Sequence, residues 1–419
     1  IGVLVIGVIS AVILNFTKAK YRTTQRIPLV NGTINYIPYD FKMVAMYQKE
    51  DGGEYVSIDQ VPTSGYTLNT EQSYCEVNGK KDSNIEIEYA NGKINFLGMT
   101  IKGTKCTLYF DEVVAVRDTL LANYPTQLTR TDFSTTVTNT TTGTIYYADT
   151  SKGRTYYFAG NPTDNWVKFG GFYWRIIRIN EDGTIRMIYQ GTSANITGTG
   201  TQIQTSAFNS SFDDNMYVGY MYQSNQVHGL SSSSTIKGIL DNWYRDNLAT
   251  NYGDKIDGNA GFCGDRQPST SETTSNGRGG TGTTTTYYGA YIRLWRSDRP
   301  TFECTNSSDL YTTSGSEQGN KALTYPIGLV SADEVWYAGG SSTNRNYYLY
   351  TKQSFWTMSP HSFEIGNALA CVFFVHLNGY LTKGSVDWSD SGVRPVINLK
   401  ADVTISGGDG TATSPYEIS

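Results

Sequence analysis

The sequence predicts a mainly β chain: an N-terminal apolar segment, a small β-sandwich, and a larger α+β domain with two helices. Three observations predict it. Asn-Gly pairs at 91–92 and 378–379 divide short apolar runs, the turn chemistry of two-residue hairpins. In the second half of the chain, two stretches repeat apolar residues at helical spacing behind a Ser or Thr cap. At 419 residues the chain exceeds what one core ordinarily supports, so two or more domains are expected.

Residues 1–17 are an apolar run read as a signal anchor or the apolar region of a signal peptide. No small-x-small cleavage pattern follows, which favours an anchor. Lys18, Lys20 and Arg22 flank it, a charge pattern that by itself would hold the rest in the cytoplasm. Residues 18–111 carry strand runs at 41–47, 85–89, 93–97 and 104–110, expected as an immunoglobulin-like sandwich. Asp111 reads as a helix cap before Val113, Val116 and Leu120, and 126–144 is a Thr-rich linker or arm, so 112–150 joins the domains.

The second domain, 151–405, opens on a hairpin of strands 174–179 and 184–189 turned by Glu181-Asp182-Gly183. Its Arg175, Arg178 and Arg186 are expected on a solvated face. A helix capped by Ser234 or Thr235 buries Ile236, Ile239, Leu240, Trp243, Tyr244 and Leu248 on one stripe. Residues 267–286 form an exposed Ser/Thr/Gly-rich loop. Ser331-Ala-Asp-Glu334 has capping-box spacing and Gly339-Gly340 stops that helix, so Asp333 and Glu334 have structural work there. Residues 406–419 read as a tail.

A net charge of −5 with 17% charged residues offers no basic face for nucleic acid. The 32 tyrosines, among many Thr, Ser, Asn and Gly, suit binding through rings, hydroxyls and amides; an ordinary secreted β protein has the same composition. Cys75 with Cys106 and Cys263 with Cys304 read as two disulfides, each inside one domain, in an oxidising compartment. The alternative is four buried thiols. Cys371 is left over. His228, His361 and His376 are the three histidines, and no nucleophile elbow, zinc-protease motif, phosphate loop or EF-hand accompanies them. No catalytic residue, metal or cofactor is expected.

The segment 356–400 differs in kind. Ala368, Ala370 and Val372 alternate with Asn367, Leu369 and Cys371, so a period of two puts the second set, with His376 after a slip at Phe373-Phe374, on one exposed face. Asn378-Gly379 turns the chain into Tyr380-Leu381, and 382–391 forms a loop at one end. A regular frame carrying chemically unrelated side chains suits a presentation surface, with Phe374, Tyr380 and Trp388 as partly exposed anchors. A plain edge hairpin is the alternative.

Five motifs carry a resemblance: the Trp174-Arg-Ile-Ile-Arg-Ile hairpin, Asp241-Asn-Trp-Tyr244, the 325–335 segment, Trp356-Thr-Met-Ser-Pro360 and Gly392-Val-Arg-Pro-Val-Ile-Asn-Leu399. Together, over about 156–400, they resemble C-type-lectin-like domains of gut Gram-positive bacteria, in the branch that includes the formylglycine-generating enzyme. Some proteins of that branch display ligand-binding residues diversified by an error-prone reverse transcriptase, as targets of diversity-generating retroelements. The resemblance implies a cell-surface receptor or adhesin. By analogy its variable, ligand-binding positions are His361, Ser362, Glu364, Ile365, Asn367, Leu369, Cys371, Phe374, His376, Tyr380, Thr382, Lys383, Asp387, Trp388, Ser389 and Asp390. The sugar-binding calcium motif of lectins and the paired active-site cysteines of the oxidases are both missing from the terminal segment. The expected partners are a protein or glycan on a host, phage or microbial surface, and the membrane through the N-terminal segment. The expected place is the outer face of the cell membrane, or secretion. An enzyme of the same fold and a structural or pilus subunit are the alternatives.

Overall fold

The computed structural model describes residues 34–35, 41–49, 54–62, 66–90, 93–98, 103–112, 116–270, 285–304 and 306–418. The apolar segment 1–17 and most of the 267–286 loop lie outside the described residues. Among the described residues no helix is long and apolar enough to cross a membrane. The protein is mainly β with few helices, in two compact units, residues 1–114 and 115–419.

The first unit has strands β1 (Ile34–Asn35), β2 (Phe41–Lys49), β3 (Tyr55–Ile58), β4 (Tyr66–Leu68), β5 (Tyr74–Val77), β6 (Lys80–Lys81), β7 (Glu86–Ala90), β8 (Lys93–Leu97) and β9 (Thr104–Glu112). The hairpin expected at Asn91-Gly92 is present as β7–β8, with Ala90 opposite Lys93. One sheet runs β3-β2-β9-β5-β6 with β4 also on β9, and the other runs β1-β8-β7. Met46, Leu68, Ile94, Leu108 and Phe110 make one core. Cys75 and Cys106 face each other on neighbouring strands β5 and β9 and are joined. In immunoglobulin domains the bridge links two sheets; here it ties neighbours within one.

Asp111 is not a helix cap. It sits in β9, where its carboxylate accepts from the Tyr55 hydroxyl and the Asn69 amide; the helix described after it is α1 (Val116–Ala122). The Thr-rich stretch expected as a linker is partly built into the second unit. Strand β10 (Thr126–Thr129) runs parallel to β12 (Thr144–Thr150), and β11 (Thr140–Thr141) pairs with β14 (Asn161–Pro162). Main-chain pairing at a sheet edge needs no apolar side chain, so these strands have no hydrophobic signal. The expected tail is also structured: β29 (Ile405–Gly407) pairs with β30 (Tyr416–Ile418), β30 runs parallel to β15 (Trp166–Phe169), and Tyr416 is buried.

Between these lie β13 (Gly153–Tyr157), β16 (Phe172–Ile179) and β17 (Ile185–Gly191); with β28 (Val396–Leu399) they complete a nine-stranded sheet. The β16–β17 hairpin turns where expected. Gly183 takes φ +85°, and Asp182 accepts from the Thr184 amide at 3.0 Å. Helix α2 (Thr235–Asn247) is capped by the Ser234 hydroxyl, and α3 (Ala332–Tyr337) by a full Ser331–Glu334 capping box. A second sheet runs β18 (Gln204–Thr205), β27 (Gly392–Val393), β24 (Phe355–Glu364), β25 (Leu369–Val375) and β26 (Leu381–Ser385), with β22 (Thr286–Tyr287) also on β24. Two short pairs complete the unit: β19 (Met221–Tyr222) with β20 (Ser232–Ser233), and β21 (Phe262–Cys263) with β23 (Leu310–Tyr311). Trp174 and Trp356 are fully buried, and each indole N–H donates to a carbonyl, of Phe169 and Ser206. The Cys263–Cys304 bridge is formed.

The solvated face expected for the β16–β17 arginines is overturned. Arg175 and Arg186 are buried, and Arg178 is nearly so. Arg175 donates to Asn165 Oδ1 at 2.6 Å and to the Pro162 carbonyl, and stacks on Trp166. A buried guanidinium survives only where such partners replace its water.

Candidate functional site

Strands β24, β25 and β26 hold the terminal segment. The Asn378-Gly379 turn is as expected: Gly379 takes φ +89°, and the His376 amide donates to the Tyr380 carbonyl at 2.9 Å. Phe374 lies opposite Trp356 on one side and Thr382 on the other. Ala370, Val372, Phe373, Val375 and Leu381 are fully buried.

The frame is covered on both faces, which corrects part of the expected exposed set. Cys371 is only 4% exposed, and His361, Ser362 and Phe374 are buried too. β25 is interior to its sheet, between β24 and β26. Trp295 packs on Phe373 with ring centroids 5.8 Å apart, and the Ala370 amide donates to the Phe212 carbonyl. A strand enclosed on both sides is apolar throughout, so alternation cannot assign its outward face.

Each buried member has local partners. The His361 ring lies among Tyr291, Trp295 and Phe373, at 5.0, 4.8 and 4.8 Å between centroids. Burial, with Lys383 adding to it, pushes the imidazole down to about 3, so it is neutral at pH 7. Its Nδ1 is 2.8 Å from the Ser362 hydroxyl. Burial likewise pushes the Cys371 thiol up to about 11.

The remaining expected positions reach the surface in three groups. Glu364, Ile365, Asn367 and Leu369 surround the β24–β25 turn; His376, Tyr380, Thr382 and Lys383 follow on the next turn and β26; Asp387, Trp388, Ser389 and Asp390 form the loop beyond. Trp388 is 47% exposed and meets Phe374 edge-on at 5.6 Å. Gly384 makes room for it, since a Cβ there would lie 3.1 Å from the indole. Lys383 pairs with Glu364, and the Ser385 hydroxyl donates to Asp387. Leu377, 54% exposed at the turn, belongs to this surface and was missed; an apolar residue directly before Asn-Gly was the available signal.

A second feature went unpredicted. A cavity of about 380 Å³ is lined by the β16–β17 turn, the start of α3, and both cysteines of the 263–304 bridge. Glu334 on its wall is held by Arg186 at 2.5 Å and Arg178 at 3.2 Å, while its carboxylate also completes the α3 capping box. Burial alone would raise Glu334; the two guanidiniums hold it below the usual carboxylate range. Arg293 bridges Asp265 at 2.6 Å and Asp333 at 2.8 Å. Burial pushes Asp265 up to about 6, against the pull of Arg293. The described residues lining the cavity include no histidine, and both of its cysteines are tied up in the bridge.

His228 lies elsewhere, hydrogen-bonded to the buried Asp309 at 3.0 Å and also meeting Gln267 and Asn306, so the three histidines do not share a site. Among the described residues no group of three or more His, Cys, Asp or Glu is placed to hold a metal. No family model, curated protein or solved structure matches the chain.

Proposed function

We propose that this chain is a surface protein that binds a ligand, protein or glycan, through the side chains presented by β26 and its flanking turns. One observation carries the reading. Side chains of unrelated chemistry, half-buried at His376, Tyr380, Thr382 and Asp387 and exposed at Lys383, Trp388, Ser389 and Asp390, lie on β26 and the turns beside it, against strands β24 and β25 whose residues are mostly buried. Such a frame tolerates change at its outward positions without losing its core. An exposed tryptophan propped on a buried aromatic is the kind of side chain that anchors an interface. A C-type-lectin-like identity for residues 151–405, an immunoglobulin-like one for 18–111, and diversification of the terminal segment belong to the same proposal and rest on the motif resemblance. The two disulfides support an oxidising, extracellular setting.

Hydroxyl-radical footprinting tests the reading. Labelled protein is bound to intact epithelial and bacterial cells and compared with free protein. Protection is expected at Tyr380, Trp388 and His376. Binding that leaves all three as reactive as in free protein defeats the proposal.

A second reading, an enzyme of the same fold, is favoured by the cavity and its displaced carboxylates, since such groups mark active sites. Structural ion-pair networks shift carboxylates equally well, and here each shifted group is clamped by a guanidinium. A catalytic role predicts turnover that is lost in Asp265→Asn while the fold persists.

A further inference from the structure

The displayed surface continues onto a segment far upstream in sequence. Residues 206–212 run beside the 386–391 loop: the Ser206 amide donates to the Ser391 carbonyl at 3.0 Å, the Asn209 amide to the Val386 carbonyl at 2.9 Å, and the Ala370 amide to the Phe212 carbonyl at 2.8 Å. The Val386 amide in turn donates to Ala370, so Phe212 and the start of the loop flank the same residue of β25. Six large apolar side chains are exposed among the described residues, and the two aromatic ones, Phe212 at 37% and Trp388 at 47%, both lie on this edge. Two exposed rings on adjoining segments form the kind of apolar surface that a partner buries.

The charges beside the rings select the partner. Asp213 and Asp390 are exposed, and among the described residues their side chains have no ion pair and no hydrogen bond. Asp214 spends an oxygen on the Met216 amide at 2.9 Å, and Asp387 accepts from the Ser385 hydroxyl. Neither 203–216 nor 384–393 contains a Lys or Arg. Of the cations that flank the loop in sequence, Lys383 is held by Glu364, and Arg394 is buried against the Tyr189 and Leu349 carbonyls. Rings flanked by unanswered carboxylates match cationic groups on apolar stems: the stem packs on the ring while its charge meets the carboxylate. A neutral glycan could cover the rings, but it would strip water from Asp213 and Asp390 and supply no counter-charge.

We propose that the partner docking on this edge is a protein segment carrying lysine or arginine side chains, with Phe212 and Asp213 as part of its site. This rests on the binding role proposed above for the displayed surface, and it narrows the partner from protein or glycan to a basic protein.

Calorimetry on the full chain tests it, with a hexa-arginine peptide as the probe and hexa-glutamate and a neutral N-acetylglucosamine hexamer as controls. Hexa-arginine is expected to bind and the controls not, and added salt should weaken the binding. Asp213→Asn with Asp390→Asn should weaken hexa-arginine roughly tenfold, and Phe212→Ala should weaken it too. Asp59→Asn with Glu71→Gln removes the same charge from exposed positions of the first unit and should leave it unchanged. Melting curves verify that each variant is folded; if Phe212→Ala is not, the conservative Asn pair decides. Absent hexa-arginine binding, undiminished affinity in the folded Asn pair, or an equal loss in the first-unit pair overturns the proposal. Binding of the sugar hexamer that Phe212→Ala abolishes overturns it in favour of a glycan. Protection of Trp388 on cells without hexa-arginine binding sinks the basic partner alone and leaves the binding surface standing.

Discussion

His361 is the residue where sequence and structure part most clearly. Its neighbours in sequence are polar or small, yet its ring is enclosed by aromatics more than sixty residues upstream and by a facing strand. Its folded value of about 3 lies below the ordinary 6.5, so the unfolded chain binds the proton more readily. The neutral ring's contribution is complete above pH 6.5. It falls as pH drops, by roughly 1.4 kcal/mol per unit, until about pH 3. Denaturant titrations from pH 4 to 7 should therefore show a steeper loss in the native chain than in His361→Phe. Parallel slopes would mean the ring is hydrated. Cys371 has a companion prediction: iodoacetamide should spare it in the folded protein and label it in denaturant. Rapid labelling of the native chain would return it to the outward set.

At the scale of elements, turns and caps were legible and buried charge was not. Asn378-Gly379, Glu181-Asp182-Gly183 and the Ser331–Glu334 box each act within four residues, so local sequence contains the whole cause. Arg186 needs Glu334, 148 residues away, and without that partner a strand arginine reads as solvated. Asp111 followed the cap pattern, but β9 runs through it. Alternation failed on β25 because both of its faces are packed. Cap and ion pair separate energetically at α3. Ser331→Ala removes one capping bond and should cost about 1 kcal/mol. Glu334→Ala also strands Arg186 in the interior and should cost about 3–5 kcal/mol. Denaturant melts rank the two, and equal losses would show that the buried pair contributes nothing beyond the cap.

For the molecule as a whole, sequence reasoning anticipated the β-rich character and the two cysteine pairs. It missed that Thr126–Thr129 and the last residues pair into the second unit's nine-stranded sheet, because the first is almost without apolar residues and the second, Tyr416–Ile418, is too short a run to show a period. It missed the cavity because the lining residues are scattered from Thr150 to Ser359. The bridges, one in each unit, join cysteines 31 and 41 residues apart. On the loop-entropy view each stabilises its own unit by roughly 3–4 kcal/mol. Non-reducing peptide mapping should recover 75–106 and 263–304 with Cys371 free, and reduction should lower the melting transition of both units.

The central claim is that the outward side chains bind while the frame folds. The most direct test is one triple variant, His376, Tyr380 and Trp388 each changed to Ala, read for cell-surface binding and melting temperature in the same preparation. The account predicts that binding to intact cells is lost and that the transition stays within about 3 °C, since none of the three belongs to the fully buried frame. Retained binding, or a collapse of the melting transition, would contradict it.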